Sequence, residues 1–168
     1  MEFFEVLMTR RSIRSFLPDP VSEEDIATLV KAGTMAPSAM NKQPWHFVIV
    51  TDREKLDAIA DRHPHAFFAR QAPLAIVVVA SPNDASGGFW VQDCSAATEN
   101  ILLAARALGL GSVWCGLYPV QERADILSDI LSVPEEYVPL SLIVLGHTEK
   151  EFSEAHRHDE AKIHHNSW

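Results

Sequence analysis

Cysteine is almost missing from this chain: Cys94 and Cys115 are the only two among 168 residues. Two thiols cannot make a disulfide framework, and so low a count suits a reducing cytosol. Cations are scarce as well. Fourteen Lys and Arg stand against twenty-three Asp and Glu, a net charge of −9 at pH 7. That balance disfavours nucleic acid or an anionic membrane surface as the main partner. An anionic ligand would be repelled by the overall field, so it needs cations gathered locally. Long apolar runs are lacking too. Stretches such as Leu74 to Ala80 are far too short to span a bilayer. Met1 leads into Glu2-Phe3-Phe4-Glu5 without a basic segment, so no secretory signal is expected and the expected location is cytoplasmic. No repeat or low-complexity segment interrupts the chain.

Hydrophobic residues make up 47% of the sequence, enough for a core, and the length suits one domain over residues 1–168. Residues 3–9 read as a short amphipathic helix and Arg14 to Phe16 as an extended exit, broken by Pro18 and Pro20. Ser22 caps a helix that carries Ile26, Leu29 and Val30 on one face and ends near Met35, before Pro37. Trp45 to Val50 reads as a strand. Asp52 opens a helix to about Arg62, and Leu74 to Ala80 reads as a strand buried on both faces. After a polar loop at 81–88, Trp90 to Leu108 is the longest helix candidate. Its apolar face of small residues marks it as central and open to close helix contact. Ser112 to Cys115, Val120 to Leu131 and Val138 to Leu145 read as strand, helix and strand. This alternation predicts an α/β sandwich built on a sheet of about four strands. The polar, His-rich tail at 148–168 ends in Ile163 and Trp168, and it is either disordered or wrapped on a second subunit.

Two segments carry chemistry. Arg10-Arg11-Ser12-Ile13-Arg14 offers three guanidinium groups and a hydroxyl, a set that binds phosphate through charge-assisted hydrogen bonds. Taken alone, the same residues read first as a solvated helix end that complements the helix dipole. Pro37-Ser38-Ala39-Met40-Asn41-Lys42-Gln43-Pro44 offers hydroxyl and amide groups between a helix and a buried strand, in a loop stiffened by prolines. Together they suit a ligand that is anionic at one end, planar and polar-edged at the other, which is the chemistry of flavin mononucleotide (FMN). Gly109-Leu110-Gly111 starts like a dinucleotide fingerprint. Its third glycine is missing, however, and the glycines precede a strand. Gly116, at the end of that strand, allows a planar ring to approach the backbone closely. Cys115 reads as packing, with no neighbouring His to activate it. His156, His158, His164, His165 and Asp159 match no metal-site spacing, and His63 and His65 read as surface residues.

The ordered set of segments resembles the FMN-dependent nitroreductase family. The resemblance runs through Arg-Arg-Ser-Ile-Arg-Ser-Phe at 10–16, Ala-Pro-Ser-Ala-Met-Asn-Lys-Gln-Pro-Trp-His-Phe at 36–47 and Ala-Pro-Leu-Ala-Ile-Val-Val at 72–78. It continues through Gln-Asp-Cys-Ser-Ala-Ala-Thr-Glu-Asn at 92–100, Gly-Leu-Gly-Ser-Val-Trp-Cys-Gly at 109–116 and Arg157-His158-Asp159. It implies an α+β sandwich with a central mixed sheet of about four strands flanked by helices, a homodimer with FMN at the subunit interface and a tail that embraces the other protomer. Arg10, Ser12 and Arg14, with Arg11 less firmly placed, would lie near the phosphate and the flavin's polar edge. Pro37, Ser38, Ala39 and Asn41 would reach the flavin from the partner. The backbone of Cys115 and Gly116 would face the ring, and Arg157 would bind phosphate. The implied chemistry is two-step hydride transfer from NADH or NADPH to FMN and on to an acceptor such as a nitroaromatic or quinone. It requires no catalytic side chain, and no metal is implied. The chain is short for this family, with little room for helices over the active site. Other readings are a relative that fragments flavin, removes halide or oxidises a bound intermediate, a flavin-binding module without turnover, and a metal-binding protein.

Overall fold

A computed structural model describes residues 2–168. Helices α1 (Phe3–Thr9), α2 (Glu23–Thr34), α3 (Arg53–Arg62), α4 (Trp90–Ala107) and α5 (Gln121–Leu131) alternate with strands β1 (Trp45–Val50), β2 (Leu74–Ala80), β3 (Gly111–Gly116) and β4 (Val138–Gly146). The caps act as their side chains suggest. Ser22 accepts the Asp25 N–H and Asp52 accepts that of Glu54, satisfying helix N-terminal donors.

The strands form one sheet in the order β1-β2-β4-β3, and all three pairings are antiparallel. The expected mixed sheet is corrected on this point. Among the described residues, parallel pairing appears only as an isolated bridge between Ser12 and Ser112 at the β3 edge. Alternation between helices and strands suggests parallel neighbours; here β2 and β3, joined through α4, do run in the same sense, but β4 inserts between them antiparallel to both.

Every residue of β2 is buried because helices cover both faces of the sheet. Ala75, Val77 and Val79 point into one core with Leu142, Val144 and the apolar sides of α3 and α5. Ile76, Val78 and Ala80 point into the other with Ile143, Leu145, α2 and α4. The small residues of α4 serve this second core: Ala97 and Ala105 are fully buried beside Ile101. A Cβ on Gly33 of α2 would sit 3.0 Å from Ile101 and from the Phe47 ring, so glycine sets the approach of α2 to its neighbours. No described helix is long and apolar enough to cross a membrane.

The tail does not float free along its first part. Thr148 donates to the Ser15 carbonyl at 2.8 Å, and Phe152 lies 4.2 Å under the Arg106 guanidinium. The Ala155 N–H reaches the Met8 carbonyl at 3.4 Å. Beyond residue 157 the side chains are exposed, and Trp168 is completely so.

Candidate functional site

The exit from α1 positions the cations. The Arg10 N–H closes the helix on the Val6 carbonyl, and the chain then runs extended past β3, where Ile13 N–H donates to Ser112 O at 2.9 Å. Ile13 is buried in the core, which anchors the segment and leaves Ser12 and Arg14 exposed. Arg10 is paired with Glu99 of α4 at 3.2 Å through Nε. Its terminal nitrogens make no hydrogen bond among the described residues. Arg11 donates to the carbonyls of Arg10 at 2.5 Å and Met8 at 3.0 Å. Arg11 therefore does what the plainer reading of the sequence expected, capping the end of a helix.

The tail brings Arg157 to the same place. Arg10, Arg11 and Arg157 line one pocket of about 310 Å³ with His156, His158 and a single carboxylate, Glu154. Desolvation, then the charges of Arg157 and Arg10, pull the Arg11 pKa below the ordinary arginine value. The nearby Glu154 carboxylate pulls the other way, so three guanidinium groups share one carboxylate there.

A second pocket, of about 360 Å³, lies at the far end of the same segment. Arg14, His63, His65, Trp114, Gly116 and Arg123 are among its walls, and no carboxylate lines it. A Cβ added at Gly116 would meet nothing within 4 Å, so a flat face of open space adjoins the backbone there. β3 is an edge strand, and Arg123 of α5 donates to the Gly116 carbonyl at 3.3 Å, fixing that peptide. The Cys115 thiol is inert: burial pushes its pKa up to about 11, against the opposite pull of Arg14 and Arg123. The thiol of Cys94 is buried too, with its pKa at about 12.

The two pockets offer different chemistry along one segment. The cluster of guanidinium groups meets the needs of a phosphate dianion. The cation-lined slot beside Gly116 suits a ring whose pyrimidine edge is rich in acceptors and gains negative charge on reduction.

The loop at 37–41 is tied elsewhere. Ala39 N–H donates to Asp93 Oδ1 at 3.0 Å, and Ser38 Oγ accepts the Gln43 N–H at 2.9 Å. Met40, Asn41 and Gln43 all have φ near +50°, a left-handed conformation that costs a non-glycine residue about 1 kcal/mol or more. Pro37 and Asn41 are exposed. Among the described residues no hydrogen bond or ion pair joins this loop to residues 10–14. One protomer thus brings together Arg10, Arg11 and Arg157 at one pocket and Arg14, Cys115 and Gly116 at the other. It does not bring Pro37, Ser38, Ala39 or Asn41 to either by a bond.

His63 is not a surface residue as expected. It is 2% exposed, with Nδ1 accepting the His65 N–H at 3.2 Å. Burial, then the Arg123 and His65 charges, lowers its pKa from the usual 6.5 to about 4. In the unfolded chain His63 binds a proton near pH 6.5, whereas in the folded one it resists until about pH 4. Its contribution is therefore present above pH 6.5 and lost as pH falls between those values. At about 1.4 kcal/mol per pH unit, that loss is on the order of 3 kcal/mol. Urea melts at pH 7 and pH 4.5 should show wild type losing more stability than His63→Leu by most of that amount.

Neither Asp93, Arg123 nor His63 stood out in the sequence. Asp93 lies inside a helix pattern, Arg123 is one of several surface-type charges on α5, and His63 follows a helix in a polar stretch. Only the fold brings His63 and Arg123 to the second pocket and Asp93 to the 37–41 loop. Among the described residues the tail histidines form no group of three ligands that could hold a metal.

The sequence profile of the nitroreductase family matches residues 7–63 and 60–147. An Archaeoglobus fulgidus protein, provisionally named NADH dehydrogenase/NAD(P)H nitroreductase, is 46% identical over 172 positions, covering 99% of each chain. A crystal structure from Parabacteroides distasonis with the same provisional name superposes with a TM-score of 0.95 at 38% identity, covering 99% of this chain and 98% of the other. A provisionally named nitroreductase of Desulfovibrio desulfuricans, solved in complex with FMN, gives a TM-score of 0.85 at 26% identity, with coverage of 100% and 98%.

Proposed function

This chain belongs to the nitroreductase family, and on that premise we propose that it is an FMN-dependent NAD(P)H oxidoreductase working as a homodimer. The observation that carries this reading is the gathering of Arg10, Arg11 and Arg157 around one pocket of a chain whose net charge is −9.

Arg10 and Arg157 bind the phosphate, while Arg11 adds charge from its cap position. Ser12, in sequence between the Arg11 and Arg14 that line the two pockets, is exposed, and among the described residues its hydroxyl makes no hydrogen bond. Arg14 meets the pyrimidine edge, and the backbone at Cys115 and Gly116 faces the ring. Pro37, Ser38, Ala39 and Asn41 complete each site from the second protomer. When bound, FMN supplies the redox chemistry, taking hydride from NADH or NADPH and passing electrons to an acceptor such as a nitroaromatic or quinone. Arg14 and Arg123 hold positive charge at the ring end, where they favour the reduced, more negative flavin. No side chain is required as acid or base. A reducing cytosol suits the two buried thiols.

Exposed apolar surface supports the dimer. Phe3, Phe4, Leu7 and Met8 of α1 are between 44% and 71% exposed, and the tail adds Ile163 and Trp168. Such a concentration marks a contact surface. The tail embraces the second protomer through these residues and delivers Arg157 to the phosphate. Deleting residues 150–168 should therefore weaken both the dimer and flavin retention, read by sedimentation and absorbance. A yellow, intact dimer after truncation contradicts the embrace.

The reading as a whole is tested by the absorption spectrum of the purified protein under anaerobic conditions. It expects oxidised-flavin bands that bleach on addition of NADH or NADPH and return with a quinone or nitroaromatic. Flavin that neither nucleotide reduces identifies a binding module without turnover. Protein that takes up no FMN overturns the assignment.

A further inference from the structure

Asp93 presents a cost that packing does not explain. It lies in the first turn of α4, is 6% exposed, and stands among two buried apolar neighbours in sequence and space, Cys94 and Ala97. Oδ1 accepts the Ala39 N–H at 3.0 Å. Oδ2 is shut off from solvent and has no protein hydrogen-bond partner among the described residues. The positive end of α4 offsets part of the charge. Even so, a buried carboxylate with one donor is a poor structural choice beside an apolar side chain.

Its single bond falls on an unusual target. Among the described residues, it is the only hydrogen bond that reaches residues 37–41 from another element of the fold. The remaining bonds of that stretch are local: the Gln43 N–H donates to Ser38 Oγ, the Gln43 Nε2 donates to Asn41 O and Oδ1, and the Asn41 and Lys42 N–H groups close the turn. The stretch holds two non-glycine residues, Met40 and Asn41, in left-handed conformations, and Gln43 just beyond it is a third. A strained loop persists only where its surroundings fix it.

We propose that Asp93 is a positioning residue: it pins the backbone of the Pro37–Asn41 loop at Ala39 in the strained shape that the loop presents to flavin, at the expense of the stability of the fold. This rests on the reading that the loop contacts FMN. The loop's exposed Met40, at 82% exposure, then belongs to the same presented surface.

The test compares Asp93→Ala and Asp93→Asn with wild type and with a loop control, Ser38→Ala/Asn41→Ala. Two quantities are read on each full-length protein: thermal midpoint without flavin, and FMN dissociation constant by quenching of flavin fluorescence. Asp93→Ala is expected to bind FMN about tenfold to a hundredfold more weakly, with an unchanged or higher thermal midpoint. Asp93→Asn retains an acceptor for the Ala39 N–H and should restore FMN binding to within a few-fold of wild type. A purely structural residue would move the other way, lowering the thermal midpoint in both variants. That outcome overturns the proposal. Asp93→Ala with wild-type affinity beside a weakened loop control also overturns it, while the loop's contact with flavin stands. Wild-type affinity in both removes that contact as well.

Discussion

Protein with alanine at both Arg10 and Arg157 is expected to purify without yellow colour, and its affinity for FMN should fall by about a hundredfold to ten-thousandfold. Each guanidinium contributes a charge-assisted hydrogen bond to phosphate, on the order of 1.5–3 kcal/mol. The two removals are coupled, because both residues line one pocket. Arg157 is exposed and its loss leaves the core untouched. Arg10 also pairs with Glu99, a partly exposed contact worth about 1 kcal/mol or less. The variant should therefore keep its fold, with near-wild-type circular dichroism. Titration of apoprotein with FMN checks the affinity. Full flavin occupancy would remove the phosphate assignment.

Gly116→Val is the second large effect, and it separates binding from folding more cleanly. A Cβ at this position meets nothing within 4 Å, and φ there is not left-handed. Valine suits a strand, so the flavin-free protein should melt within about 1 °C of wild type, as neutral surface changes do. The open space beside Gly116 is where the ring is placed. Two added methyl groups would hold the ring away from the backbone of β3. FMN binding should weaken about a hundredfold or more, and the remaining bound flavin should be reduced slowly by NADH or NADPH. A variant that binds and turns over like wild type would place the ring elsewhere.

Local chemistry was legible in the sequence where a short stretch decides the outcome. Ser22 and Asp52 cap their helices because an oxygen at that position meets an orphan N–H whatever the rest of the chain does. Leu74 to Ala80 could only be buried on both faces, and the two cores explain why. The cation segment was legible as residues, and the family resemblance gave it direction. Pairing sense was not legible. Whether β2 meets β4 parallel or antiparallel depends on contacts 58 to 71 residues apart, and no local pattern carries that. The His63 environment was hidden for the same reason. A histidine after a helix looks solvated until the cover over it is known. Arg11 had two plausible uses in sequence, and the geometry gives it the carbonyls at the end of α1. Asp93 was the least visible, since its partner Ala39 is 54 residues away and contributes only a backbone N–H.

The central claim is that each flavin site is built by two chains, with the arginines from one and the Pro37–Asn41 loop from the other. It is tested most directly by mixed dimers. One chain carries Arg10→Ala and Arg157→Ala, the other Ser38→Ala and Asn41→Ala, with different affinity tags so that only the heterodimer is collected. Shared sites predict that each parent homodimer lacks flavin while the heterodimer binds FMN at half of its sites, because one site then joins two intact halves. A heterodimer as empty as both parents would contradict the shared site and return the whole pocket to a single chain.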